Sequence, residues 1–324
     1  MKRTAVALML VSTASWAGSQ APPPSDAPTA APSSDAPTAA PSSNGPTAAP
    51  SSDGPTPPAA GQPLVVAPAA WPKEYPVVAW WDFLSVGVLG VGSVVVVVTP
   101  VPEPASWTGG ILFDDWVRNG LRLSGANARL AASSASDWLL AIMAVFPFAD
   151  AWLDAGWGRG RVDVAWRLTV IDAEALLTTT FISLGVQRLT ARQRPWVAAC
   201  LKDPTGADCS TGSAANTSFP SGHTSVAFTS AVLECVNHGR LDVERTGWSA
   251  AVCPLTLSMA ALTGLLRIAS DRHYASDVLV GALLGSGIGY LVPTLHFALA
   301  PKSTAAVTPV VSPNYTGLAL TGRF

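Results

Sequence analysis

The sequence predicts an all-α fold, a bundle of about six core helices embedded in a membrane, with a disordered N-terminal tether and a short C-terminal tail. Three observations carry this expectation. Only 12% of the 324 residues are charged, against about 25% in ordinary soluble domains. Long apolar runs recur after Trp71. Before them lies a tract of abruptly different composition, rich in proline, alanine and serine. The formal net charge of −2, with no basic stripe, offers no electrostatic footprint for nucleic acid.

Residues 1–18 read as a signal peptide. Lys2 and Arg3 precede an apolar stretch from Ala5 to Val11, and Ser15 and Ala17 supply small residues for cleavage. Residues 19–70 form the tether. A nine-residue unit restarts there at Asp26, Asp35, Asn44 and Asp53, and residues 21–63 hold 13 of the chain's 28 prolines with no aromatic residue, lysine or arginine. So little apolar surface cannot offset the entropy of ordering, which predicts an extended, partly polyproline segment.

The helical domain is expected over residues 71–300. Its six segments run from Phe83 to Thr99, Trp138 to Phe148, Leu168 to Val186, Gly222 to Val236, Trp248 to Leu266 and Val278 to Ala298. The first contains a run of five valines, which periodicity alone would also allow as a strand; its length and setting favour a helix. The uncharged stretch from Val278 to Pro301 is long enough to cross a bilayer, and the fifth segment qualifies too, kinked at Pro254. The third carries Asp172 and Glu174, costly in hydrocarbon unless they face the bundle interior. In the tail, residues 301–324, alternating residues around Ser312-Pro313-Asn314 predict a short hairpin appended to the domain. Cys200 and Cys209 flank a short loop and in an exported chain are expected to pair. Cys235 and Cys253 are expected as buried small hydrophobes in apolar helices.

Polar residues unsuited to a core gather in three places. "QRLTARQRP" (Gln187 to Pro195) ends the third segment, "PSGH" (Pro220 to His223) opens the fourth, and "LRIASDRHYASD" (Leu266 to Asp277) joins the fifth and sixth. If the fourth and fifth both cross the bilayer, all three clusters emerge on the same side. Arg194 and Arg267 are planar cations suited to binding phosphate in a bidentate fashion. Ser221 and Gly222 open a helix whose free N–H groups and dipole favour an anion, and glycine admits an oxygen close to the backbone. His273 and Asp277 are spaced to meet on one helix face, with the carboxylate fixing the imidazole tautomer. His223 is the second histidine, free to act as a general acid. Each feature alone is weak, since an Arg-Pro pair is an ordinary helix boundary. Together they describe an oxyanion site.

In these residues the sequence resembles the type 2 phosphatidic acid phosphatase family, whose superfamily also includes bacterial acid phosphatases and vanadium haloperoxidases. The family pattern is Lys, six residues, Arg-Pro; then Pro-Ser-Gly-His; then Ser-Arg, five residues, His, three residues, Asp. Arg194-Pro195, Pro220 to His223, and Arg267, His273 and Asp277 fit it, over a similarity running from about Trp138 to Ala298. Gln187 stands at the lysine position and Leu266 at the serine position. Gln187 can hydrogen-bond a phosphate but brings no charge, and Arg188, about 100° round the helix, is placed to reach across in its stead. The resemblance implies hydrolysis of a phosphomonoester or pyrophosphate without metal or cofactor. His273 would attack phosphorus to give a phosphohistidine. His223 would protonate the leaving group and then activate water, while Arg194, Arg267, Ser221 and Gly222 hold the phosphoryl oxygens. The implied substrate is a lipid phosphate or polyprenyl pyrophosphate. The alternatives are a vanadium-dependent haloperoxidase using the same pocket and a non-catalytic lipid-phosphate binder, to which Gln187 lends weight.

The expected setting is a bacterial cell envelope. An exported N-terminus followed by three crossings would put the site in the cytoplasm, whereas the resemblance and the Cys200–Cys209 pair imply a periplasm-facing site in the inner membrane. The two agree if no more than five segments cross, or if the domain is soluble in the periplasm.

Overall fold

Helices form where the apolar runs lie. The computed structural model describes residues 76–202, 209, 213–241, 247–298, 306–312 and 315–321, so the signal peptide and tether lie outside the described residues. The valine run is helical, within α1 (Trp80–Val98). The N–H of Ala79 donates to the Asp82 carboxylate in the first turn at 2.6 Å, which fixes where α1 starts. A short amphipathic helix, α2 (Asp114–Leu121), follows. α3 (Ala126–Asp150) begins twelve residues earlier than the apolar run, because the alanine-rich lead-in propagates the helix without being hydrophobic. It passes directly into a π-helical stretch, Ala151–Gly158. α4 (Val162–Thr190) ends at Ala191, whose φ of 39° lies in the left-handed region and turns the chain away. α5 (Pro195–Cys200) starts on a proline, whose missing N–H costs nothing there. α6 (Gly222–Leu241), α7 (Trp248–Ala269) and α8 (Ala275–Ala298) complete the bundle. Strands β1 (Ala306–Ser312) and β2 (Tyr315–Thr321) pair antiparallel, Ser312 opposite Tyr315, in a hairpin of the kind the tail predicts.

α6 packs against α3, α4, α7 and α8. Its closest neighbour is α8, and three glycines explain why. A Cβ on Gly281 would lie 2.7 Å from the Ser221 carbonyl oxygen, one on Gly289 2.6 Å from that of Thr229, and one on Gly285 would overlap the Ser225 carbonyl. The two backbones therefore touch along a seam four residues in period, and the Thr229 hydroxyl donates across it to the Gly285 carbonyl at 3.2 Å. Gly285→Ala is expected to force the helices apart, at about 1–3 kcal/mol or more, the usual cost of overpacking. The check is the thermal midpoint of the detergent-solubilised protein, and an unchanged midpoint would contradict the close approach.

Five helices among the described residues are long and apolar enough to cross a membrane: α1, α3 with its π-helical extension, α4, α7 and α8. Their outward faces carry exposed Val91, Val94 and Val98 of α1, Trp138 of α3 and Leu283 of α8. Such a surface suits acyl chains, and the protein is a membrane protein. Asp172 and Glu174 of α4 turn inward. Asp172 is fully buried and accepts from Asn237 at 3.2 Å, while Glu174 accepts from Ser85 at 2.8 Å and pairs with His296 at 2.9 Å.

Cys200 and Cys209 form a disulfide. Cys235 and Cys253 do as well, joining α6 to α7, so the expectation of two separate small hydrophobes is corrected. Helix packing brings their Cα atoms to 4.6 Å, a distance that eighteen residues of sequence separation did not disclose.

Candidate active site

The end of α4, the start of α6 and the α7–α8 loop meet at one end of the bundle. Three contacts tie them. The Gln187 side-chain amide donates to the Pro220 carbonyl at 2.9 Å, the Ser221 N–H donates to the Asp277 carbonyl at 3.0 Å, and the Arg192 guanidinium reaches the Asp277 carboxylate at 2.5 Å.

His273 lies in the α7–α8 loop with only 1% of its surface exposed. Its Nδ1–H donates to the Ser218 carbonyl at 2.7 Å, which fixes the tautomer and leaves the Nε2 lone pair free. That Nε2 is buried with no hydrogen-bond partner among the described residues. Burial, reinforced by Arg194, Arg267 and His223, holds the imidazole well below its usual pKa. At neutral pH it is therefore an uncharged imidazole. The Asp277 carboxylate comes within 3.8 Å of Nδ1 but does not orient the ring directly. Instead it accepts from the Ser218 hydroxyl at 2.5 Å and the Tyr274 N–H at 2.8 Å, so Asp277 holds the residue whose carbonyl holds His273.

Behind Asp277 lies a buried network that no motif announced. Arg192 is fully buried and bridges Asp277 and Asp114, the latter at 2.8 Å, with its guanidinium stacked 4.0 Å from the Trp107 ring and 4.4 Å from that of Tyr274. Asp114, at the start of α2, also accepts from the Ser276 N–H and hydroxyl, both at 2.7 Å. Arg118 of α2 and Arg122, just past its end, clamp the buried Asp271 at 2.5 and 2.8 Å. Asp271 sits at a φ of 62°, a left-handed conformation that aspartate tolerates better than most residues. Helix α2 thus staples the loop that carries His273.

Arg194 and Arg267 supply the cations. Both are buried at Nε with no partner there, while Arg194 donates to Thr217 and Arg267 to Ser136 at 3.1 Å. Burial brings Arg194 down to about 10, which leaves it charged at neutral pH. A half-buried third cation, Arg272, interacts electrostatically with both and lies 5.9 Å from the Trp196 ring centre. Arg188, the expected substitute for the charge Gln187 lacks, turns away and donates to the Val97 and Thr99 carbonyls at 3.0 and 3.2 Å, because the end of α1 lies beside it.

His223 occupies the second turn-forming block. Its Nε2–H donates to Asp137 of α3 at 2.7 Å, and the same carboxylate oxygen accepts from Arg267 at 3.1 Å. Burial lowers the His223 pKa to about 4, against the opposing pull of Asp137 and with help from Arg267. An incoming anion would reverse part of that shift. The Ser221 hydroxyl is turned to α6 itself, 2.9 Å from the Thr224 hydroxyl and 3.5 Å from its N–H, where it caps the helix. Beside it, a Cβ on Gly222 would stand 3.3 Å from the Gln187 amide nitrogen, so glycine keeps this corner open.

Asp137 escaped sequence reasoning because it lies 86 residues before His223 with no local pattern. It holds the same two groups that an entering phosphoryl oxygen would use. Asp137→Asn is expected to tighten competitive inhibition by inorganic phosphate about two- to fivefold, the worth of a partly exposed ion pair of up to about 1 kcal/mol. Weaker inhibition would show that Asp137 assists anion binding instead.

These features define a class: a membrane-embedded helical bundle with two histidines, two motif arginines and a capped helix N-terminus brought together at one end. Residues 169–300 match the model of the PAP2 superfamily, and similarity to that superfamily is established over this stretch. A lipid A 1-phosphatase of Porphyromonas gingivalis is 42% identical over 89 residues, 26% of this chain and 18% of that protein. A probable diacylglycerol pyrophosphate phosphatase 1 of Schizosaccharomyces pombe is 40% identical over 79 residues, 23% of this chain and 28% of that protein. The chain thus spans less than a third of the length of either curated relative. A transmembrane PAP2-type phosphatidylglycerolphosphate phosphatase of Bacillus subtilis aligns in structure over 67% of this chain and 96% of its own, at 16% identity and a TM-score of 0.41.

Proposed function

We propose that the protein is a phosphatase that hydrolyses a phosphomonoester or pyrophosphate on a lipid through a phosphohistidine intermediate. The observation that carries this reading is the buried, partnerless Nε2 of a neutral His273, with Arg194 and Arg267 in electrostatic reach. The Nε2 lone pair forms an N–P bond as the P–O bond to the leaving group breaks, and His223, charged once the anion has entered, gives that oxygen its proton. Water then attacks phosphorus, His223 takes its proton, the N–P bond breaks and phosphate departs. Arg194, Arg267 and the Gly222 N–H stabilise the charge that builds on the equatorial oxygens, where most of the acceleration in such sites arises. Arg272 adds a third cation. The relatives' names favour a lipid A phosphate or a diacylglycerol pyrophosphate as substrate class, and a polyprenyl pyrophosphate shares that chemistry.

The site is proposed to face the periplasm from the bacterial inner membrane. The Cys200–Cys209 disulfide follows α5 at the active-site end and suits an oxidising compartment. Phosphate release from phosphatidic acid, diacylglycerol pyrophosphate and an undecaprenyl pyrophosphate in mixed micelles, without added metal, tests the activity. Binding of these lipids without release from any of them would leave a non-catalytic binder, and peroxide-dependent halogenation after vanadate loading would point to a haloperoxidase.

A further inference from the structure

At the far end of α6 lies a second cluster that the phosphatase chemistry does not use. Asp150 closes α3, and Glu234 and His238 stand one turn apart on α6; the three are 9%, 2% and 6% exposed. His238 Nε2 lies 2.7 Å from Asp150 Oδ2 and 3.5 Å from Glu234 Oε2, and the three potential ligand atoms all lie within 4.8 Å of one another. His238 and Asp150 are held from behind in the manner of metal ligands. The Ser249 hydroxyl lies 3.0 Å from His238 Nδ1, whose proton it can accept, leaving the Nε2 lone pair toward the carboxylates, and the Trp248 indole donates to Asp150 Oδ1 at 2.6 Å.

A separate observation points to a ligand. Asn237, 5% exposed, lines the same cavity as Asp150, Glu234 and His238, and among the described residues its buried amide oxygen has no hydrogen-bond partner. Its nitrogen donates to Asp172, fully buried, whose other carboxylate oxygen is also partnerless. The cluster thus holds three carboxylates against one histidine; Arg159, on the cavity wall, pairs with Asp154 at 3.3 Å. Two buried carboxylates facing each other require a cation or a proton between them. The cavity is bounded by the π-helical Ala151–Gly158, an irregularity that recurs at functional sites.

We propose that Asp150, Glu234 and His238, with the Asn237 amide oxygen, bind one first-row divalent cation, zinc foremost. One imidazole and two carboxylates form a donor set suited to zinc. A tetrahedral ion with bonds of about 2.0–2.1 Å sets its ligand atoms roughly 3.3 Å apart, and the observed 2.7 and 3.5 Å bracket that spacing. The fifteen residues from His223 to His238 correspond to about 22 Å of helix, so the ion takes no part in phosphoryl transfer. It fastens the ends of α3 and α6 and, through Trp248 and Ser249, the start of α7. The other such group among the described residues, Asp82, Glu174 and His296, serves as a comparison, because only Asp82 of its three members is buried.

The test uses the full chain, without a polyhistidine tag, purified in detergent, stripped with a chelator and then given zinc chloride or manganese chloride. The expected result is about one equivalent of zinc retained after desalting, with a thermal midpoint raised by several degrees. Glu234→Gln and His238→Gln should lose both responses while keeping phosphate release, and His296→Gln should retain them. Less than about a tenth of an equivalent bound by the unaltered protein, with no shift in its midpoint, overturns the proposal even if the variants fail to fold. So does stoichiometric binding that survives both α6 substitutions.

Discussion

His273→Ala should abolish turnover, by a factor on the order of 10⁴ or more, while the protein stays folded and keeps its affinity for phosphate. Loss of a covalent nucleophile is felt on this scale because nothing else in the site forms the first bond. The protein tolerates the change because His273 is neutral where it is buried, so truncation strands no charge and leaves only the Ser218 carbonyl without its donor. The checks are initial rates, thermal midpoints and acid-quench trapping of labelled phosphoenzyme, which the variant should not form. His223→Ala should differ in kind. It should still accumulate phosphoenzyme from an aryl phosphate, whose leaving group needs no proton, and then fail to hydrolyse it. Substantial turnover of lipid phosphate by His273→Ala would remove that residue as the nucleophile.

Arg192→Met is expected to be the most destabilising single substitution at the site. The arginine is the shared partner of Asp114 and Asp277, both fully buried, and removal of one member of such a network leaves uncompensated charge at about 3–5 kcal/mol. Methionine keeps the hydrophobic stem but not the fork that holds both acids and stacks between Trp107 and Tyr274. A detergent-phase thermal melt should show a much lower midpoint, with activity lost in parallel as the His273 loop comes free. The double variant Arg192→Met with Asp114→Asn should recover part of the stability, since one of the stranded charges is then gone. If it does not, Asp114 is not where the cost arises.

The motif residues were legible because short, fixed spacings in the chain translate into one place in the fold. Arg194, His223, Arg267 and His273 sit at ends of helices whose lengths the apolar runs already disclosed. The relation between His273 and Asp277 was not legible, although four residues separate them. That spacing places two side chains together only within a helix, and α8 begins at Ala275, so His273 lies in the preceding loop and takes a backbone carbonyl as its partner. Arg192 was hidden by its company, two residues before a motif arginine and indistinguishable from it by type. Its burial, and that of Asp114, follows from how α2 folds over the loop, and α2 is too short and too charged to register as an apolar segment. The Cys235–Cys253 link was missed for the same tertiary reason, since helical neighbours across α6 and α7 leave no trace in linear order.

The glycine seam between α6 and α8 has a mechanical consequence. His223 rides on the first and His273 on the approach to the second, so the separation of the two imidazoles is set by main chain resting on main chain. A side-chain interface can slide through alternative rotamers, whereas carbonyl against Cα has none to exchange. Membranes of different thickness are accommodated by helices that tilt, and α6 and α8, joined backbone to backbone, would tilt as one body. The geometry of the site is therefore insulated from the lipid that surrounds it, a useful property under the proposed reading, in which the substrate is itself a lipid.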